Sequence, residues 1–200
     1  MNQSISISSK ALIQYYDAMK GHLGEHRVDR LRHQMELQYG GIVFDGMRVL
    51  DIGGGSGIHA FYAVASGAND VLVIEPEDAG STAGVVAQFD VWKQEFGYPN
   101  VQLLTTPFQK YEHIGKPFDV IIIQDAINHL DEEACVKLLT DEQSRHDYEQ
   151  VFTKIASLAH SGTILHFSDC SSRNFFPTVG LTNPSIRVSS GKSISRQMSG

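Results

Sequence analysis

The segment Val49-Leu50-Asp51-Ile52-Gly53-Gly54-Gly55-Ser56-Gly57 sets an acid two residues ahead of three glycines at alternate positions, Gly53, Gly55 and Gly57. An apolar run ending in such a turn reads as a strand that brings its backbone up to a ligand, because glycine reaches positive φ and leaves no Cβ in the way. Spacing narrows the choice of ligand. A G-x-G-x-x-G dinucleotide turn needs a glycine at position 58, which is Ile58. A phosphate-binding loop needs Gly-Lys-Ser/Thr, and no lysine lies between Arg48 and Lys93. Both phosphate readings lose ground, and Asp-x-Gly-x-Gly-x-Gly remains.

Other stretches could add chemistry. Glu75 closes the apolar run from Asp70 and precedes Pro76, which releases the chain from regular structure. A carboxylate at a strand end can accept hydrogen bonds from the vicinal hydroxyls of a ribose. The run Phe118 to Ile123 leads into Gln124-Asp125-Ala126-Ile127-Asn128-His129-Leu130. There a neutral His129 imidazole can take a proton from a hydroxyl or amine, and Asp125 is a comparable candidate. The plainer reading of His129 is a capping or packing histidine beside Asp131. The stretch from His166 through Asp169, Cys170, Arg173 and Asn174 to Phe175-Phe176 mixes polar groups with aromatic walls, as small-molecule sites do. His22 and His26 have the i,i+4 spacing of a metal pair, but Gly24 weakens the helix between them, and no metal is expected.

Together these features resemble the class I S-adenosylmethionine-dependent methyltransferases. Asp51, Gly53, Gly55 and Gly57 match that family's first motif, Glu75 its second, and Gln124 with the following histidine its fourth. The likeness runs roughly from Leu12 to Phe176. It implies S-adenosylmethionine as cofactor, its methionine part passing the turn, where a carboxylate such as Asp51 suits the cationic amine and would repel a pyrophosphate. It further implies Glu75 on the ribose, Gln124 toward the methionine moiety, and Asn128, His129 and Asp125 toward a small-molecule acceptor. After the third strand the chain departs from the family, which often has an acid there. Here Pro107 and Phe108 stand in its place, so that Phe108 is either an adenine wall, with Gln109 beside it, or core. The implied activity is in-line methyl transfer, which asks the enzyme chiefly to align the reacting groups. A nicotinamide-dependent oxidoreductase is disfavoured by Ile58 and Asp51, and a non-catalytic or truncated module of the same fold is the third reading.

The elements that must position these residues follow from periodicity. Residues 1–9 read as a loose polar arm, and Lys10 to Tyr39 as two helices parted near Gly21 and Gly24. Strands are expected at Val49 to Ile52, Asp70 to Glu75, Val101 to Leu104, Phe118 to Ile123 and Gly162 to Phe167. Helices are expected at Ser56 to Ser66, Ser81 to Phe96, Asp131 to Leu139 and Asp147 to His160. Strands alternating with helices predict an α/β fold with a doubly wound, mostly parallel Rossmann-like sheet, whose ligands sit at the carboxyl ends of the strands. The organisation expected is a helical lid over 1–40, a cofactor-binding α/β domain over 41–180 and a flexible, serine-rich tail over 181–200. The antiparallel hairpin that normally completes the family's sheet is missing from this reading. That leaves an edge beside the fifth strand and implies either lowered stability or a homodimer paired through it.

Composition sets limits. Two hundred residues with 42% hydrophobic and 20% charged residues suit one globular domain. A net charge of −7 without a Lys/Arg run offers no footprint for nucleic acid. No stretch reaches the length of a membrane span and the first residues lack a leader pattern. With only Cys135 and Cys170 present, no disulfide framework is visible and a reducing cytoplasm fits.

Overall fold

Alternation along the strands decides the layers, because successive side chains in a strand point to opposite faces. In β1 (Arg48–Ile52), Val49 packs into one core while Leu50 and Ile52 pack into another. β4 (Phe118–Gln124) repeats this, with Val120 and Ile122 on the first face and Ile121 and Ile123 on the second. With β2 (Asp70–Ile74), β3 (Val101–Leu104) and β5 (Ala159–Ser168) they form a sheet ordered β3-β2-β1-β4-β5, every pairing parallel. Both faces are covered, which is why the inner strands read as unbroken apolar runs. The computed structural model describes residues 3–77 and 82–169, with side chains from residue 10.

Helices α1 (Gln3–Leu23), α2 (Glu25–Tyr39), α3 (Ile58–Ala65) and α4 (Val85–Phe96) cover the first face. Tyr15, Met19, Val28 and Met35 from α1 and α2 share one core with Val49 and Phe61. Gly24, at φ +79, breaks the chain between α1 and α2. On the second face α6 (Glu142–Ser157) buries Val151 and Ile155 against Leu50, Ile121 and Phe118. The short α5 (Glu132–Lys137) precedes it, and each of the two is started by an aspartate cap: Asp131 accepts from the Ala134 N–H at 2.9 Å and Asp141 from the Ser144 N–H at 2.8 Å. Among the described residues no helix is long and apolar enough to cross a membrane.

Three expectations need correction. Helix α1 begins at Gln3, so the loose arm is helical from that residue. No glycine or proline interrupts the chain before Gly21, and extending an existing helix costs little once it is nucleated. The last helix runs over Glu142–Ser157 in place of Asp147 to His160, because the Asp141 cap starts it early. Strand five starts at Ala159 and carries a bulge, in which the His160 N–H donates to Thr163 Oγ1 at 2.8 Å and Thr163 Oγ1 donates to the Phe118 carbonyl at 2.6 Å. The expected tail over 181–200 lies outside the described residues, as do Cys170, Arg173, Asn174, Phe175 and Phe176.

Phe61 is fully buried, with its ring centroid 5.0 Å from those of both Phe89 and Phe96. Phe61→Ala should cost about 3–5 kcal/mol of unfolding free energy, read by urea denaturation. A loss under about 1 kcal/mol would show that this aromatic layer does not hold α3 and α4 to the sheet.

Candidate functional site

The glycine turn leaves β1 and enters α3. Gly53 donates its N–H to the Ile74 carbonyl at 2.8 Å, and Gly57 donates to the Gly54 carbonyl at 2.8 Å. A Cβ on Gly53, where φ is +69, would lie 2.4 Å from the Ala126 Cβ, so no other residue fits there. Gly54, at the x position of the motif, is fixed as tightly. Its missing Cβ would meet Asp51 Oδ2 at 2.7 Å and Val73 Cγ1 at 2.6 Å. Gly57 turns inward against Phe89, while Gly55 has nothing within 4 Å of where its Cβ would stand. Packing therefore holds Gly53, Gly54 and Gly57, and the turn is open at Gly55.

Beside that opening lies a cleft of about 390 Å³ at the carboxyl ends of β1, β2 and β4 and under the loop after β3. It is lined by Gly53, Gly55, Ile74, Glu75, Pro76, Thr82, Val85, Pro107, Phe108, Gln109, Asp125, Ala126, His129 and Leu130. Of the residues singled out in the sequence, the fold brings Gly53, Gly55, Glu75, Phe108, Asp125 and His129 to this one cleft. Glu75 is almost fully buried; its Oε2 accepts the Gly55 N–H at 3.0 Å and its Oε1 accepts the Glu77 N–H at 3.0 Å. The second acid is thus tied directly to the turn. Phe108 is both things at once, 2% exposed in the second core and part of the cleft wall. Gln109 closes that wall by donating from its side chain to the Leu130 carbonyl.

Asp51 lies beneath the turn and does not line the cleft. It shares its face of the sheet with Val49, has Val73 and Ile122 as register partners, and is 1% exposed, with Oδ2 buried and without a partner. Burial first, and then the negative charge of Glu75, push its carboxyl up to about 7, against the lowering pull of the Ala60 N–H. Gln124 also stands away from the cleft. Its strand parity, two residues on from Ile122, turns it to the face of α1 and α2, where Gln124 Oε1 accepts from Gln38 Nε2 at 3.0 Å. Gln124 Nε2 donates to Asp125 Oδ2 at 3.0 Å. His129 Nδ1 lies 2.6 Å from Glu132 Oε1 and is not paired with Asp131, whose side chain caps α5. His22 forms a pair with Glu95 of α4.

A polar cluster on the α2 side escaped sequence reasoning. Tyr39 lies 2.8 Å through its hydroxyl from His59 Nδ1, and its ring packs 4.8 Å from that of His166. Burial, then the neighbouring His166, lowers His59 to about 4, so it is neutral at neutral pH. The available signal was strand parity: Gln124 pairs with Ser168 and Ile122 with His166, which puts Gln124 and His166 on the face covered by α1 and α2.

No protein-family model matches this chain, and no curated protein matches it. Solved structures do. The chain is similar to coclaurine N-methyltransferase bound to N-methylheliamine and S-adenosylhomocysteine, with a TM-score of 0.50 and 17% identity over 72% of this chain and 35% of that one. It is also similar to precorrin-6y C5,15-methyltransferase from Geobacter metallireducens GS-15 (TM-score 0.43, 13% identity, 60% of this chain and 53% of that one). A third similar structure is an S-adenosylmethionine-dependent methyltransferase from Aquifex aeolicus (TM-score 0.41, 18% identity, 56% and 52%). The chain thus spans about a third to a half of the length of these proteins. The five parallel strands with flanking helices are the Rossmann-like fold of the class I methyltransferases.

The state of Asp51 makes stability depend on pH. A carboxyl whose folded pKa is raised favours folding in its protonated form, so this contribution is complete below about 3.8 and is lost as pH rises through about 7. In the ligand-free protein, the melting temperature of Asp51→Asn relative to wild type should therefore climb between pH 5 and pH 8. An offset independent of pH, followed by differential scanning fluorimetry, would show that Asp51 is ionised throughout.

Proposed function

We propose that this chain is an S-adenosylmethionine-dependent methyltransferase acting on a small-molecule acceptor by in-line methyl transfer. The observation that carries the reading is the junction of turn and acid: Glu75, on the cleft wall, holds the Gly55 N–H at the one point where the turn is open. A carboxylate fixed there is preorganised to accept the hydroxyls of a ribose, with Phe108 and Leu130 offering apolar area to a base. On the cleft wall, the carboxyl groups of Glu75 and Asp125 make the cradle electronegative. That suits a ligand with a cationic amine and opposes a pyrophosphate, which argues against nicotinamide chemistry. Gly53 and Gly57 serve by fixing the path of the turn, and Gln124 serves from behind Asp125.

The cofactor supplies a methyl group already activated on a sulfonium, so the residues of the chain have to align, shield and handle a proton. His129 is the proposed general base for a hydroxyl acceptor. Its Nδ1 is engaged by Glu132, which orients the ring on the cleft wall. Asp125 stands on the same wall.

With S-adenosylmethionine labelled in the methyl group and a panel of small phenols and amines, wild-type protein should form labelled product. Glu75→Ala should form at least tenfold less, the loss being that of paired charge-assisted hydrogen bonds, roughly tenfold each. Equal product from the two proteins, or none from a folded wild type with any acceptor, contradicts the proposal.

A further inference from the structure

Glu75 is aimed from two sides. Its Oε2 accepts the Gly55 N–H and its Oε1 the Glu77 N–H, so that two backbone bonds fix the plane of the carboxylate. The first bond comes from the turn, where Gly55 reaches φ +53 without a side chain to oppose it. The second comes from a residue that has one.

Among the described residues only Glu77 and Asp125 have a positive φ without being glycine, each at 51°. Left-handed backbone at such a residue persists only where its surroundings impose it. At Glu77 the side chain supplies the constraint. Its Oε1 accepts the Gly84 N–H and its Oε2 the Val86 N–H, each at 2.8 Å, so the carboxylate forks over the start of α4. Gly84, the residue ahead of that helix, has no side chain with which to cap it, and an acid suits the positive end of a helix. Phe89 and Trp92 anchor α4 in the first core, which makes its end a fixed point. Pro76, next to Glu77, and Val85, between the two capped N–H groups, both line the cleft. Capping alone does not require left-handed backbone: Asp131 and Asp141 cap α5 and α6 at φ −156° and −121°. What the left-handed turn adds at Glu77 is an N–H directed back at Glu75. One residue thus faces two ways, its side chain forward to α4 and its N–H back to the acid on the cleft wall.

Resting on the function proposed above, we propose that Glu77 is a positioning residue: clamped to α4, it holds its N–H on Glu75 and so sets how strongly the cleft prefers a ligand with both ribose hydroxyls over one lacking the 2′-hydroxyl. The charge of Glu77 serves the helix end, whereas the preference resides in Glu75. The two roles are therefore separable by substitution.

The test titrates the full chain by calorimetry with 5′-methylthioadenosine and its 2′-deoxy counterpart, reading the ratio of the two affinities, with S-adenosylhomocysteine as the reference for cofactor binding. Wild type should prefer the riboside by roughly tenfold, the worth of one charge-assisted hydrogen bond. Glu77→Ala, which cannot span to α4 and disfavours left-handed backbone, should reduce that preference to about threefold or less. Glu77→Asn is also too short to span but tolerates left-handed backbone, so it should keep an intermediate preference, and it carries the test if the alanine variant does not fold. With Glu75→Gln already in place, Glu77→Ala should change the preference no further. An unchanged preference in both Glu77 variants overturns the proposal, as does equal weakening of the two nucleosides, which makes Glu77 a structural clamp only. Further loss in the Glu75→Gln background shows Glu77 acting on another group and overturns it too. Wild type that binds both nucleosides alike overturns this inference while the cofactor site stands. Wild type that binds neither nucleoside nor S-adenosylhomocysteine removes the proposed function, and this inference with it.

Discussion

The structure depends on a tight arrangement in which a glycine turn crosses a buried carboxylate. Asp51 occupies a strand position between Val73 and Ile122, and Gly54 lies so close above it that a single methyl group would collide with its Oδ2. Burying a carboxyl in such a place with its Oδ2 unpartnered is costly, and burial accordingly pushes its pKa up. The surrounding elements make it tolerable. Ala60 offers its N–H from the first turn of α3, Gly57 closes the turn against Phe89, and Glu75 reaches across from β2 to Gly55. The same contacts that keep the turn folded leave Gly55 facing open space.

Fold and site follow from one alternation. The parallel sheet buries both faces, so each strand sends one set of side chains to the α1–α4 layer and the other to α6. The chain's polar residues take their meaning from which set they join. Asp51 and Gln124 join the first, and so sit behind the cleft wall; Glu75, one residue past β2, still donates its N–H to the Leu104 carbonyl at 3.0 Å and stands on the wall itself. Helices α1 and α2 share the core of the sheet, so Gln38 and Tyr39 are brought up to the ends of β4 and β5 by packing that begins at Tyr15 and Met35.

Much of this was legible in the residues. The alternation of apolar runs and helical periods was enough for a doubly wound parallel sheet to be expected, and the glycines with Asp51 marked the turn. Glu75 could be placed because Pro76 follows it. The orientation of Gln124 follows from its parity with Ile122, which turns it toward α1 and α2, and a motif position alone does not carry that information. Gly54 carries no signal in the motif, which leaves its position variable, because what requires a glycine there is the carboxylate that the fold brings beneath it. Gln38 and His59 carry no motif, and their part depends on contacts between residues far apart in the chain. The expected loose arm failed for a different reason: helix propagation from a strong segment overrides weak local preference.

The nucleoside-binding cradle proposed for the turn and Glu75 is open to direct binding measurement without knowledge of the acceptor. Isothermal titration of the purified 200-residue chain with S-adenosylhomocysteine, after circular dichroism has confirmed mixed α/β structure, should give saturable one-to-one binding in the micromolar range. A folded protein that shows no heat of binding at millimolar ligand would contradict the account.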